Sequence, residues 1–384
     1  MPMAAPCHVR VDRQPLLGIL GVISHSSSEQ RALRDSLRET ARVGQDVVPL
    51  HTPGNKGRLV SRFVLRVSDE VLRLPNGTVA TRDEVQSEAK LHADVVLIEQ
   101  GCAQSGVNLR CPGGALRSTL AWLRCALIGW PAALTVGKAE TDTYLHLPGV
   151  AHHLQQSVVA MEKHSAHIAA SQPPQLFWGA FESYHCMTHP KYHSPRGHLN
   201  GYMVRSCRVD PMPIGRVGPF SFAKGPLLFL SSPLAMSVLS SPTVQQEAEA
   251  AILKAEAIGG TMRVWEDVFL GFAVATSAQA PVHVVDDPAL QSESGHAAPR
   301  LSPATLVAHL RRNKSATFVR RVHRYLKRRH CQPKELRIRF HDEIKMTLCS
   351  GARLFLGHPG HVRGKHVYNH ENCSTVRAPL ASRR

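Results

Sequence analysis

No run of 18 apolar residues occurs anywhere in the 384-residue sequence, which excludes a membrane-spanning helix within it. The N-terminus lacks the basic region, long apolar stretch and small-residue cleavage site of a secretory leader. If the protein enters the secretory pathway, its anchor is expected outside this sequence. Cysteine is sparse: nine residues are spread out with no Cys-x-x-Cys pair. That is too few for a disulfide-built fold, and the odd count leaves one or more thiols unpaired within the chain. The Cys and His residues between His330 and Cys373 fit no compact zinc-finger spacing. Internal repeats and long low-complexity tracts are also missing.

Acidic residues are outnumbered, 29 against 46 Lys and Arg, for a net charge of +17. The imbalance is local. From Arg320 to Arg384 there are 16 Lys and Arg against 4 Asp and Glu, a net of +12, leaving +5 for the other 319 residues. A basic run such as Arg320 to Arg329 can hold phosphates non-specifically and with steep salt dependence. It lies outside any patterned fold, with few aromatics near it, so nucleic acid is not the expected partner and stays an alternative. Hydrophobic residues at 43% suffice for a substantial core.

Leu16 to Ile23 is a continuous apolar run followed by a polar turn and an amphipathic stretch, Glu29 to Thr40. Strands are expected at Arg62 to Val67, Asp94 to Glu99 and Ala132 to Val136, and helices ending near Leu91 and over Leu116 to Leu127. This alternation predicts an α/β fold around a mixed, mostly parallel sheet flanked by helices. Between Gln172 and Gly218 no period survives, which predicts a functional loop region or a poorly ordered insert. Periodicity returns at Leu227 to Leu230, Pro242 to Ile258, Val264 to Ala275 and Val282 to Val285. A loop follows at Gln291 to Pro303, then a basic tail with one helix, Ala316 to His330.

Three places could carry chemistry. In Trp130 to Pro148 an apolar strand runs into the acidic turn Glu140-Thr141-Asp142. Carboxylates at a strand's carboxyl end suit a divalent cation bridging two phosphates, although such triplets also occur in ordinary solvated turns. Glu266 and Asp267 interrupt an otherwise apolar segment. There a carboxylate can take a proton from an attacking hydroxyl, or simply cap a helix, and both can hold together. His309, in Leu306-Val-Ala-His309-Leu310, is of a type that ligates manganese or zinc, but it is one of 23 histidines.

The order of these segments resembles the β-1,3-galactosyltransferase / N-acetylglucosaminyltransferase family. Its Arg-Arg-x-x-Ile-Arg-x-Ser/Thr-Trp pattern is similar to Gln30-Arg31-Ala-Leu33-Arg34-Asp-Ser36-Leu37, and its Glu-x-x-x-Tyr-Gly-Asp-Ile element to Glu88 through Val95. Its Lys-Thr-Asp-Asp-Asp signature aligns without gaps on Lys138 to Asp142, and its Glu-Asp-Val-Tyr-x-Gly box on Glu266 to Gly271. Its aromatic and glycine loop is similar to Pro219-Phe220-Ser-Phe222-Ala-Lys-Gly225, and its late Val-x-His to Val307-Ala-His309. Thr141 stands at the middle acid of the triplet, Trp130 at a cysteine and Leu37 at a tryptophan.

The resemblance implies a single GT-A-type domain at 15–312, between an N-terminal segment 1–14 and a basic C-terminal extension 313–384. It implies inverting transfer of a hexose or N-acetylhexosamine from a UDP-sugar to an acceptor hydroxyl, on a glycan, glycoprotein or glycolipid, with a β-1,3 linkage. Asp142 and His309 would ligate manganese, Asp267 would be the general base, and Glu140, Lys138 and Arg34 would serve the nucleotide. The Golgi lumen is the implied compartment, and the sequons at Asn76, Asn313 and Asn372 are compatible with it. The alternative is a catalytically weak relative that binds glycans or partners.

Overall fold

The computed structural model describes residues 11–47, 56–67, 82–99, 113–166, 173–187, 197–199, 202–206, 220–257, 265–287, 289–291, 305–310, 315–327, 344–347 and 353–356. The chain begins β1 (Leu16–Ser24), α1 (Ser28–Thr40), β2 (Arg58–Val67), α2 (Arg82–His92), β3 (Val95–Glu99), α3 (Gly114–Gly129) and β4 (Ala133–Glu140). These strands pair in parallel, in the order β3-β2-β1-β4. β1 is apolar throughout because both its faces are covered: Leu16 and Ile19 pack on one side, Leu17, Leu20 and Val22 on the other. Ser27 caps α1, its hydroxyl accepting from the Gln30 N–H at 3.4 Å, which starts the helix right after the turn.

Next come β5 (Thr143–Leu145), α4 (Leu147–Ala166), β6 (Gln175–Met187), β7 (Gly197–Leu199), β8 (Tyr202–Ser206) and β9 (Phe220–Ser231). Helices α5 (Ser232–Ser240), α6 (Pro242–Ala257) and α7 (Glu266–Ser277) follow. β9 lies antiparallel between β4 and β6, and β10 (Val282–Asp286) joins β6 in parallel. Among the described residues the result is a nine-stranded, mixed, mostly parallel sheet with helices on both faces. One core lies under α3, α5, α6 and α7, the other under α1, α4 and, later in the chain, α8 (Ala316–Lys327). A small second sheet places β12 (Val307–His309) between β5 and β11 (Leu290–Gln291).

Three expectations are corrected. The stretch read as loop or insert contains β6, a 13-residue strand at the heart of the sheet. Its leading Leu176, Phe177 and Trp178 are buried, and their apolar run was masked by the His- and Pro-rich residues that follow. The 20-residue α4 had no counterpart in the sequence reading. The basic tail holds, besides α8, a hairpin of β13 (Ile344–Thr347) and β14 (Arg353–Leu356). The loop expected beyond Gln291, the sequons, and most of the His- and Cys-rich segment lie outside the described residues.

Candidate active site

β1 and β4 end together, with Ile23 paired to Glu140, so the acidic turn stands at the carboxyl edge of the parallel strands. β5 starts immediately after it and pairs antiparallel with β12, setting His309 opposite Thr143. The Leu310 N–H donates to the Asp142 carbonyl at 2.9 Å, which pins the end of β12 to the acidic turn. Three residues from distant parts of the sequence therefore meet. His309 Nε2 lies 3.4 Å from Glu140 Oε2 and 3.4 Å from Asp142 Oδ2. Ligand atoms of all three fall within 4.8 Å of one another. Asp142 is buried, while Glu140 and His309 are partly so.

Thr141, between the two acids, turns away from this cluster. Its hydroxyl donates to Gln30 Oε1 and reaches the Ile23 carbonyl at 3.4 Å, tying the turn to β1 and α1. The missing middle acid is thus replaced by a brace.

Lys138 lies beneath the cluster, 2% exposed. Its ammonium donates to Glu266 Oε1 at 2.8 Å, to the Gly225 carbonyl at 3.1 Å and to Glu140 Oε1 at 3.2 Å. Burial alone would lower its pKa, but Glu266 and Glu140 outweigh that and hold the lysine charged. All three donors are used inside the protein, so Lys138 joins the two halves of the site. Asp267 sits in the first turn of α7. Its Oδ2 accepts from the Gly225 N–H at 3.1 Å and its Oδ1 from the Val268 N–H at 2.8 Å. Burial, and then the charge of Glu266, raise its pKa from 3.8 to about 7. Glu140 is also raised, first by burial and then by Glu266 and Asp142 despite Lys138. Glu266 is lowered: burial opposes this, but the charge and hydrogen bond of Lys138 win.

Arg34 is 1% exposed, with Nε and Nη2 on the two oxygens of Glu88 at 2.8 and 2.5 Å. Its Nη1 donates to Ser24 Oγ at 3.0 Å and the His25 carbonyl at 2.6 Å. The guanidinium therefore fixes the loop that leaves β1 at the site's edge. Glu266 stands out in the sequence beside Asp267, whereas Gly225 does not stand out as a site residue; its signal is its place in the aromatic and glycine loop. An open pocket among the described residues, lined by Pro15, Lys56, Gly57, Ala132, Leu134 and Glu162, lies where β1 and β4 begin, at the opposite end of these strands.

No protein-family model matches the chain, and no curated protein matches it. Solved structures similar to it include an active-site mutant of LgtC, at 9% identity and a TM-score of 0.35, covering 81% of this chain and 95% of that one. Mouse xyloside xylosyltransferase 1, in its apo form, is similar at 11% identity and a TM-score of 0.33, covering 76% and 96%. Likeness this distant carries no argument about chemistry, which rests on the chain's own residues.

Proposed function

We propose that residues 15–312 form a GT-A-type glycosyltransferase domain that uses a UDP-sugar and a divalent cation, with Glu140, Asp142 and His309 as the cation's ligands. The observation that carries this reading is the convergence of those three side chains at the carboxyl edge of the parallel strands, joined through Lys138 to Glu266 and, by way of Gly225, to Asp267. Two carboxylates and an imidazole suit manganese. Three carboxylates gathered around one lysine, with Asp142 beside Glu140, also leave an excess of negative charge that a dication offsets. Bound there, the cation would neutralise charge developing on the departing diphosphate.

The remaining steps belong to the chain's own groups. Asp267 accepts the proton of the acceptor hydroxyl, and a pKa near 7 suits a base working near neutral pH. The Gly225 N–H and α7 hold that carboxylate, Lys138 fixes its distance from the cation side, and Arg34 and Thr141 brace the loop after β1. One base and no nucleophile in the proposed step mean direct displacement with inversion. The motif order favours a β-1,3 linkage formed by a galactosyltransferase-like enzyme on a glycan, glycoprotein or glycolipid. The Golgi lumen fits the disulfide at Cys125, a bond that an oxidising compartment maintains. No described helix is long and apolar enough to cross a membrane.

The test is a panel of UDP-sugars with Mn2+, scored for transfer or slow hydrolysis. Cleavage of one or more donors that stops with EDTA is the expected result. Failure of every donor with a folded, Mn2+-loaded protein would remove the enzymatic reading.

A further inference from the structure

β9 does not run evenly past β6. Gly179 pairs with Leu228 and Phe181 with Ala223, so four β9 residues, 224–227, stand opposite the single Ala180. Leu227 still pairs with Ala139 of β4, which leaves Lys224, Gly225 and Pro226 lifted out of the ladder as a bulge. Bulges of this kind re-aim backbone groups beside functional sites. Here the bulge carries Gly225 over the end of β4. Its N–H donates to Asp267 and its carbonyl accepts from Lys138, each at 3.1 Å. A Cβ built on Gly225 would stand 2.7 Å from Glu140 Oε1 and 3.5 Å from Lys138 Nζ. One residue thus bonds the proposed base and the linking lysine, and its Cα faces a proposed cation ligand.

We infer that Gly225 is a positioning residue: its bulge spaces Asp267 from the cation site, and its bare Cα leaves the room in which the Glu140 carboxylate reaches the cation. The inference rests on the cation reading above. The nearest atom that a methyl group would meet is the far end of a flexible side chain, not backbone. Gly225→Ala should therefore displace the Glu140 carboxylate while the strand stays in place, and its N–H remains available to Asp267.

The experiment is calorimetric titration of Mn2+ into the full chain, with urea unfolding measured in parallel. Gly225→Ala should weaken Mn2+ binding about 10-fold, the scale expected when a metal ligand loses its orientation, with the unfolding midpoint nearly unchanged. Glu140→Asp withdraws the carboxylate by one methylene and relieves the contact. In that background Gly225→Ala should cost little further affinity, so the two effects should be strongly non-additive. A Mn2+-binding wild type with an indifferent Gly225→Ala, or with the two losses simply adding, overturns the inference alone. A wild type that binds no Mn2+ overturns the cation reading together with it. Loss of stability in Gly225→Ala does not blur the result, because non-additivity of the Mn2+ affinities is what is read.

Discussion

Replacing Asp267 by asparagine keeps the side chain's shape and removes its basicity. Asp267→Asn should lower turnover by about 10²- to 10⁴-fold, the usual contribution of a positioned base, while Mn2+-dependent UDP binding stays near wild type. Loss of UDP binding instead would make Asp267 a structural cap of α7. The pH profile gives a second check. The active form is the deprotonated one, and the folded pKa is raised from 3.8 to about 7, so activity should climb as pH rises through about 7. A cation bound next door favours the charged carboxylate, so saturating Mn2+ should move this limb to lower pH. A flat profile between pH 5 and 8 at subsaturating Mn2+ would contradict the assignment. At this scale Asp142, His309 and Asp267 stood out as candidates because each sits in a short motif whose order resembles a family. The closeness of Gly225 to Glu140 and the hydrogen-bond partners of Lys138 and Arg34 did not. A glycine's missing Cβ matters only against Glu140 Oε1, and a buried lysine's partners, such as Glu266, lie 128 residues away.

The helix that carries Arg34 is held by an ionic clasp between α1 and the α2–β3 region. Arg34 grips Glu88, and Arg38 bonds Glu88 and Asp94, each at 2.8 or 2.9 Å, while stacking over Phe63 at 4.8 Å. Burial would raise the Glu88 carboxyl, but the hydrogen bond and charge of Arg34, joined by Arg38, lower it from 4.5 to about 2. A carboxylate depressed on folding stabilises the protein above its unfolded pKa and loses that contribution as pH falls. Stability should therefore decline as pH drops from about 4.5 towards about 2. Glu88→Gln should cost about 3 kcal/mol at pH 7, since it strands a buried guanidinium, and should flatten the acid decline. An unchanged urea midpoint in Glu88→Gln would contradict the clasp. The similar segments at Arg34 and Glu88 were visible separately in the sequence; that they clasp each other was not. Gly271 shows the same limit, because only the fold reveals that α7 packs so closely that a Cβ there would lie 2.5 Å from Phe222 Cβ. β6 and α4 escaped notice for a different reason. β6 shares its stretch with polar, Pro-rich residues, and α4 intersperses histidines and glutamines among its apolar positions.

On the scale of the whole molecule, one site is assembled from segments near positions 140, 225, 266 and 309, and the sheet brings them together. Alternation of strands and helices made the α/β class legible, whereas the antiparallel insertion of β9 between β4 and β6 left no local signature. The basic C-terminal segment is partly integrated: α8 buries Val319 and Val322 against the body, and Arg320 bonds both oxygens of Glu39 at 2.6 and 3.0 Å. The central claim is that Glu140, Asp142 and His309 hold a cation that in turn holds a uridine diphosphate. Calorimetric titration of UDP into the full chain, with Mn2+ and then with EDTA, tests it directly. Binding in Mn2+ that EDTA abolishes, and that Asp142→Asn abolishes in a protein with a wild-type unfolding midpoint, is the predicted result. Equal UDP binding with and without Mn2+, or none in either, would contradict the claim.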